Sequence, residues 1–166
     1  MSQDFKDQVL REAGYRCAVP TCRSILSADS AHLVESEEGK GDSAENLVAI
    51  CPRCFAQFQE GVIARDSLYG WKLTLASLTK AFDAITVDEL LFLATPVAAT
   101  LRISGDGVLK FSRLIASGLV TFSVFAQNGA LILYHVGFTQ KGADLVNAWM
   151  RGDRQAIIEY FGVTPD

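Results

Sequence analysis

Between residues 65 and 85 the large apolar side chains fall at Leu68, Trp71, Leu75, Leu78, Phe82 and Ile85. Steps of three and four put all six on one stripe, which predicts a single helix across 65–85 with a heptad-like register. Beyond it, Thr86 and Glu89 have the spacing of a capping box, so a helix is expected over 87–94, stopped by Pro96. A further helix is expected over 106–117, with Gly118 at its C-terminal cap. The period then shortens, and 119–126 and 130–136 read as strands joined at Asn128-Gly129, a strong hairpin signal. Thr139 can cap a helix through Met150, and 151–161 holds a last one. Upstream of the stripe, 31–35 reads as a short strand and 38–42 as a glycine-containing loop. Residues 44–50 lead into a helix that starts at Cys54 and breaks near Gly61.

The elements make an α+β protein in three parts: a small module over 1–64, a linking helix over 65–85, and a second domain over 86–166. All four cysteines lie in the first part, as Cys17-x4-Cys22 and Cys51-x2-Cys54. Two such hooks supply four thiolates in a tetrahedron, which suits a borderline-soft zinc ion and leaves no open position on it. Pro20 and Pro52 sit inside the hooks, where tight turns aim backbone amides at the sulfurs. The metal expected at Cys17, Cys22, Cys51 and Cys54 is therefore structural zinc, since a fully thiolate-ligated ion has no place for a reactive water.

The order YRCAVPTC, AHLV, GKGDSAENLVAICPRC resembles the HNH nucleases of the ββα-metal class, most closely the zinc-stapled McrA-type restriction enzymes. The resemblance covers residues 8–63. It implies that His32 occupies the place of the histidine that activates the attacking water, and Asn46 that of the asparagine pinning the loop and the histidine backbone. It departs from the family at the helix, where the metal-ligating histidines give way to Phe55 and Gln59. Ala31 also stands where some members carry an acidic ligand. A phenyl ring cannot coordinate an ion, and an amide is a poor substitute for imidazole. Without a cation to stabilise charge on the scissile phosphate, a lone general base supplies only about 10²–10⁴-fold. The expectation is a catalytically inactive HNH scaffold. A second divalent ion would have to be rebuilt from groups such as Asp29, Glu35, Glu37 or Gln59, which would make the chain an active endonuclease with a non-standard metal site.

Helices followed by a β-hairpin and a closing helix resemble a winged helix-turn-helix domain. The implied recognition helix, 106–117, offers only Lys110 and Arg113, and the implied wing has no Lys or Arg at all. A wing that reads DNA tracks phosphates with basic residues. His135 in the second strand is read as a packed or solvent-facing side chain. Charge points the same way: the net charge is −4, of which residues 1–72 carry −3, where a nucleic-acid binder needs a basic patch. The expected partner is thus a protein or a second copy of the chain, the latter making a homodimeric adaptor whose apolar helix, anchored by Trp71 and Phe82, and apolar wing form the interface. DNA is the less favoured alternative, and the resemblance implies a bacterial or phage restriction, defence or regulatory setting. Mean hydropathy is +0.21 without any apolar run long enough to span a bilayer, and the first residues are polar and acidic. A cytoplasmic protein with a buried partner surface is expected.

Overall fold

The computed structural model describes residues 3–163, which form two compact units. One comprises the chain up to residue 81 together with the stretch from 148 onward; the other is 82–147.

The first unit opens with helix α1, Gln3–Glu12. It buries Val9 and Leu10 and closes at Gly14, whose φ of 65° is the left-handed conformation open to glycine. Phe5, Val9 and Ala13 at successive four-residue steps were the available signal for this helix. Strands β1 (His32–Glu35) and β2 (Leu47–Ile50) pair antiparallel with His32 opposite Ile50 and Glu35 opposite Leu47. All four residues of β2 are buried, whereas β1 buries only Val34. Helix α2 (Pro52–Gln59) follows at once. It starts two residues earlier than the apolar pattern predicts, because Pro52 has the φ of a first helical residue and Cys51 acts as the N-cap, accepting from the Cys54 amide.

Helix α3 runs over Arg65–Ala81, so the predicted helix to residue 85 is cut short. The reason is local: Asp83 is the N-cap of a new helix, α4 (Ala84–Leu93), and accepts from the Thr86 amide at 2.8 Å. The cap is therefore Asp83, and Thr86 is the residue it caps. Leu68, Trp71, Leu75 and Leu78 are buried as the stripe requires, while Ile85 is 72% exposed. Trp71 is not a free anchor for a partner, since it is buried and its indole Nε1 donates to the Trp149 carbonyl at 2.8 Å.

The chain returns to α3 through α9 (Arg154–Phe161), which belongs to the first unit rather than closing the second. The expected start at 151 moves to 154 because Asp153 caps α9 through the Ala156 amide and Gly152 turns the chain at φ 61°. A Cβ at Gly152 would lie 2.5 Å from Ser67 Cβ, so only glycine permits this close approach to α3.

In the second unit, α4 is followed by α5 (Pro96–Thr100), α6 (Gly105–Leu109) and α7 (Ser112–Ala116). The single helix expected over 106–117 is thus two short ones. Gly105 and Gly107 weaken its first turn, and the chain breaks at Lys110–Phe111 while still burying Val108, Phe111 and Leu114. Strands β3 (Val120–Asn128) and β4 (Leu131–Phe138) form the expected hairpin. Asn128 pairs with Leu131, so the two-residue turn is Gly129-Ala130, one position beyond Asn128-Gly129. A β-bulge between Val124 and Ala126 supplies the extra residue. Thr139 caps α8 (Gln140–Arg151) by accepting from the Gly142 amide, as expected.

Candidate metal centre

Four thiols converge where the segment after α1 meets the junction of β2 and α2. Cys17 Nα donates to the Ser24 carbonyl at 2.8 Å, closing the first hook into a loop. Inside it, the Cys22 and Arg23 amides both donate to the Val19 carbonyl. Arg23 is held at φ 47°, a conformation that non-glycine residues rarely adopt, and its guanidinium donates to the Cys17 and Ala13 carbonyls. The second hook is the first turn of α2, which projects Cys51 and Cys54 to one side.

Backbone amides point at the sulfurs as the hook geometry requires: Cys51 Nα lies 3.4 Å from Cys17 Sγ, and Cys54 Nα 3.5 Å from Cys51 Sγ. All four Sγ atoms lie within 4.8 Å of one another, with Cys22 and Cys51 at 3.7 Å. Four sulfurs bound at about 2.3 Å from a central zinc are separated by about 3.8 Å, so the donor set and its spacing fit this ion. Cys17, Cys51 and Cys54 are buried and Cys22 is partly exposed. These four cysteines can coordinate a structural zinc.

The thiols are unequal. Burial pushes Cys17 up to about 12, against amide donation from Cys51 and Val19. Burial and the neighbouring Cys17 raise Cys54 as well. At Cys51 burial also acts upward, but it is outweighed by hydrogen bonds from Ser24, from the Cys54 amide and from the Cys54 and Cys22 thiols, which bring this group down to about 6. A divalent cation among the sulfurs would take the place of the protons that burial otherwise retains.

The other candidate residues lie on the same ββα frame. His32, at the start of β1, stacks on Phe55 with ring centroids 4.2 Å apart and planes 4° from parallel. Gln59, one turn further along α2, is exposed. Asn46 is buried and fully bonded. Its Oδ1 accepts from the Glu37 amide at 2.8 Å and from Ser36 Oγ at 3.0 Å, and its Nδ2 donates to the Glu37 and Gly41 carbonyls, both at 3.0 Å. Asn46 therefore pins the loop after β1, but its bonds go to that loop and not to the His32 backbone. Glu37 is drawn into ion pairs with Lys40 and Arg154. Among the described residues, the cysteine cluster is the one set of three or more His, Cys, Asp or Glu ligand atoms close enough to share an ion.

Sequence reasoning missed a polar site between α1, the pinned loop and α3. Lys72 is buried, and its Nζ contacts Glu12 Oε1 and the Ala44 carbonyl, both at 2.5 Å. Burial holds the Glu12 carboxyl above its ordinary range despite the ammonium beside it. These groups line a cavity of about 810 Å³ that also reaches Asn46, Lys40 and Lys80 but not His32 or Phe55. A lysine inside an apolar helical stripe is a signal for such a buried pair, although nothing in the sequence names Glu12 as its partner.

The chain matches no family model, no curated protein and no solved structure.

Proposed function

We propose that the chain is a zinc-stapled HNH-like protein without hydrolytic activity, which acts by binding a protein partner, or less favourably DNA, in a restriction, defence or regulatory setting. The observation that carries this reading is the His32–Phe55 stack. In a ββα-metal nuclease the helix position facing the strand histidine holds a cation. Here the same position presents an aromatic face, and the imidazole packs on it. His32 retains a place from which a base could act, but Phe55 gives no ligand for the ion that would stabilise the leaving oxygen. The second unit, with helices ahead of an uncharged hairpin, resembles a winged-helix domain adapted to protein contact, since its hairpin has no cation to meet phosphate.

The test is plasmid nicking by the purified zinc-loaded protein with magnesium, manganese or nickel. No cleavage is expected with any of them. Cleavage abolished by His32→Ala would overturn the reading and establish an active nuclease with a non-standard metal site. The double substitution Phe55→His with Gln59→His supplies the missing ligands, and metal-dependent nicking by that variant alone would support an HNH ancestry.

A further inference from the structure

The β3–β4 hairpin is built unlike the rest of the molecule. Residues 119–138 contain no Asp, Glu, Lys or Arg, in a chain where one residue in five is charged. Eight of the nine β3 residues are exposed, among them Phe122, Val124 and Phe125, at 46%, 58% and 56%. Both faces of β3 are therefore open, and the exposed side chains are large and apolar.

The two edges of the hairpin differ. The outer edge of β4 carries a bridge at its middle, where the Ile103 amide and carbonyl exchange hydrogen bonds with Tyr134 at 3.0 and 2.8 Å. Among the described residues β3 has only β4 as a strand neighbour. Free edges of this length normally carry lysine, proline or an inward charge that prevents pairing with another strand. On β3 the bulge at Phe125 is the sole such device, and Arg102, 4.0 Å over the Phe125 ring, leaves the other edge residues uncovered.

We infer that β3 is a self-association edge, where a second copy of the chain adds its own β3 antiparallel about a two-fold axis to make a four-stranded sheet across the dimer. The neutrality of the strand suits this occupant. A two-fold pairs each β3 residue with another β3 residue, and only a residue on the axis with its own copy, so an uncharged strand pairs with itself without burying or opposing any ion. A nucleic acid or a strongly charged protein would find nothing on the hairpin to pair with. Strand addition satisfies the outward amides and carbonyls of β3, and it covers Val124 and its neighbours, which water otherwise surrounds. The interface is isologous and closes at two copies, because each β3 edge is used up by the other.

Sedimentation velocity of the full chain over a concentration series tests this, with Val124→Lys and Leu131→Lys as variants. Val124 lies on the free edge strand, whereas Leu131 is an equally exposed apolar residue on β4. Wild type is expected to be a dimer that dissociates on dilution. Val124→Lys should raise the dimer dissociation constant at least ~100-fold by bringing a charge from each copy into the shared apolar edge, and Leu131→Lys should leave it within a few fold. Circular dichroism matching wild type establishes that each variant is folded. If Val124→Lys does not fold, hydrogen exchange on wild type decides instead, with β3 amides gaining protection as concentration rises. A monomer at every concentration would overturn the inference. So would a Val124→Lys dimer as tight as wild type, equal disruption by both lysines, or β3 exchange that is independent of concentration.

Discussion

Cys54 and Phe55 are adjacent on α2, and they divide the ββα module into ends that solve the same problem differently. At the Cys54 end, four sulfurs crowd within 4.8 Å, an arrangement that makes physical sense around a cation. At the Phe55 end, a hydrocarbon ring faces the His32 imidazole and the two stack in parallel, with no metal ligand from the helix. The loop after β1 is held by the four hydrogen bonds of Asn46 and by the ion pairs of Glu37. One end of the module can thus hold a metal through four thiolates, while the other is packed by an aromatic stack and side-chain hydrogen bonds.

The largest effect is expected at the sulfurs. Structural zinc sites of this kind contribute roughly 10–16 kcal/mol of apparent binding free energy, which is folding free energy when the apo site is not preformed. Cys54→Ser, or exhaustive chelation, is expected to abolish the cooperative thermal transition of the first unit and the bound zinc, read together by scanning calorimetry and metal stoichiometry. A thermal midpoint that survives chelation unchanged would break the comparison, because both ends would then be metal-independent.

Next in size is the buried ion pair. Lys72→Met leaves Glu12 beside apolar neighbours without its ammonium, and breaking one side of such a pair costs about 3 kcal/mol at neutral pH. The pH dependence has a definite sign. The Glu12 carboxyl is already raised above 4.5 in the folded protein by burial, against the pull of Lys72. A carboxyl raised on folding contributes stability below its unfolded value, and that contribution is lost as pH rises through the folded one. Removing the ammonium raises the folded value further. The deficit of Lys72→Met relative to wild type should therefore widen from acid toward neutral pH, as followed by urea denaturation at several pH values. Asn46→Ala is expected to cost about 2 kcal/mol, because it leaves the Glu37 amide and the Glu37 and Gly41 carbonyls without their partner. The same loss should appear in the zinc-loaded protein with and without added magnesium or manganese if the loop end is independent of a second metal.

How much of this could be read from the sequence varies with the range over which each feature is determined. The cysteine cluster is local chemistry repeated twice, and hook spacing alone placed all four residues. The helical stripe of α3 was legible through Leu78, where burial enforces the period, and misleading at Phe82 and Ile85, where Asp83 overrides it by capping a new helix. The hairpin was legible, but its turn was displaced by one residue. A bulge consumes a residue without leaving any mark on apolar alternation, so Phe125 gave no warning. The contacts made by α9 and the pairing of Lys72 with Glu12 join residues 60 or more apart, and no local pattern encodes such meetings. His32 and Phe55 illustrate the same limit. The sequence places both residues on neighbouring elements, whereas their parallel stack emerges only when β1 and α2 are brought together.

That stack gives the smallest and most discriminating effect. An offset aromatic pair contributes about 0.5–1.5 kcal/mol beyond the area it buries, and both rings here are partly exposed. Phe55→Ala and His32→Ala should each destabilise the zinc-loaded protein by about 1 kcal/mol. Their double-mutant cycle should return a coupling energy of about 0.5 kcal/mol or more. A vestigial histidine that merely happens to lie beside a phenylalanine would give a cycle near zero. A positive coupling that persists when magnesium or manganese is added would mean that the imidazole is held by the ring and not recruited by an added cation. Coupling that disappears on adding the metal would mean the opposite, that His32 still prefers an ion to its aromatic neighbour and that the two ends of the module are less different than their side chains imply.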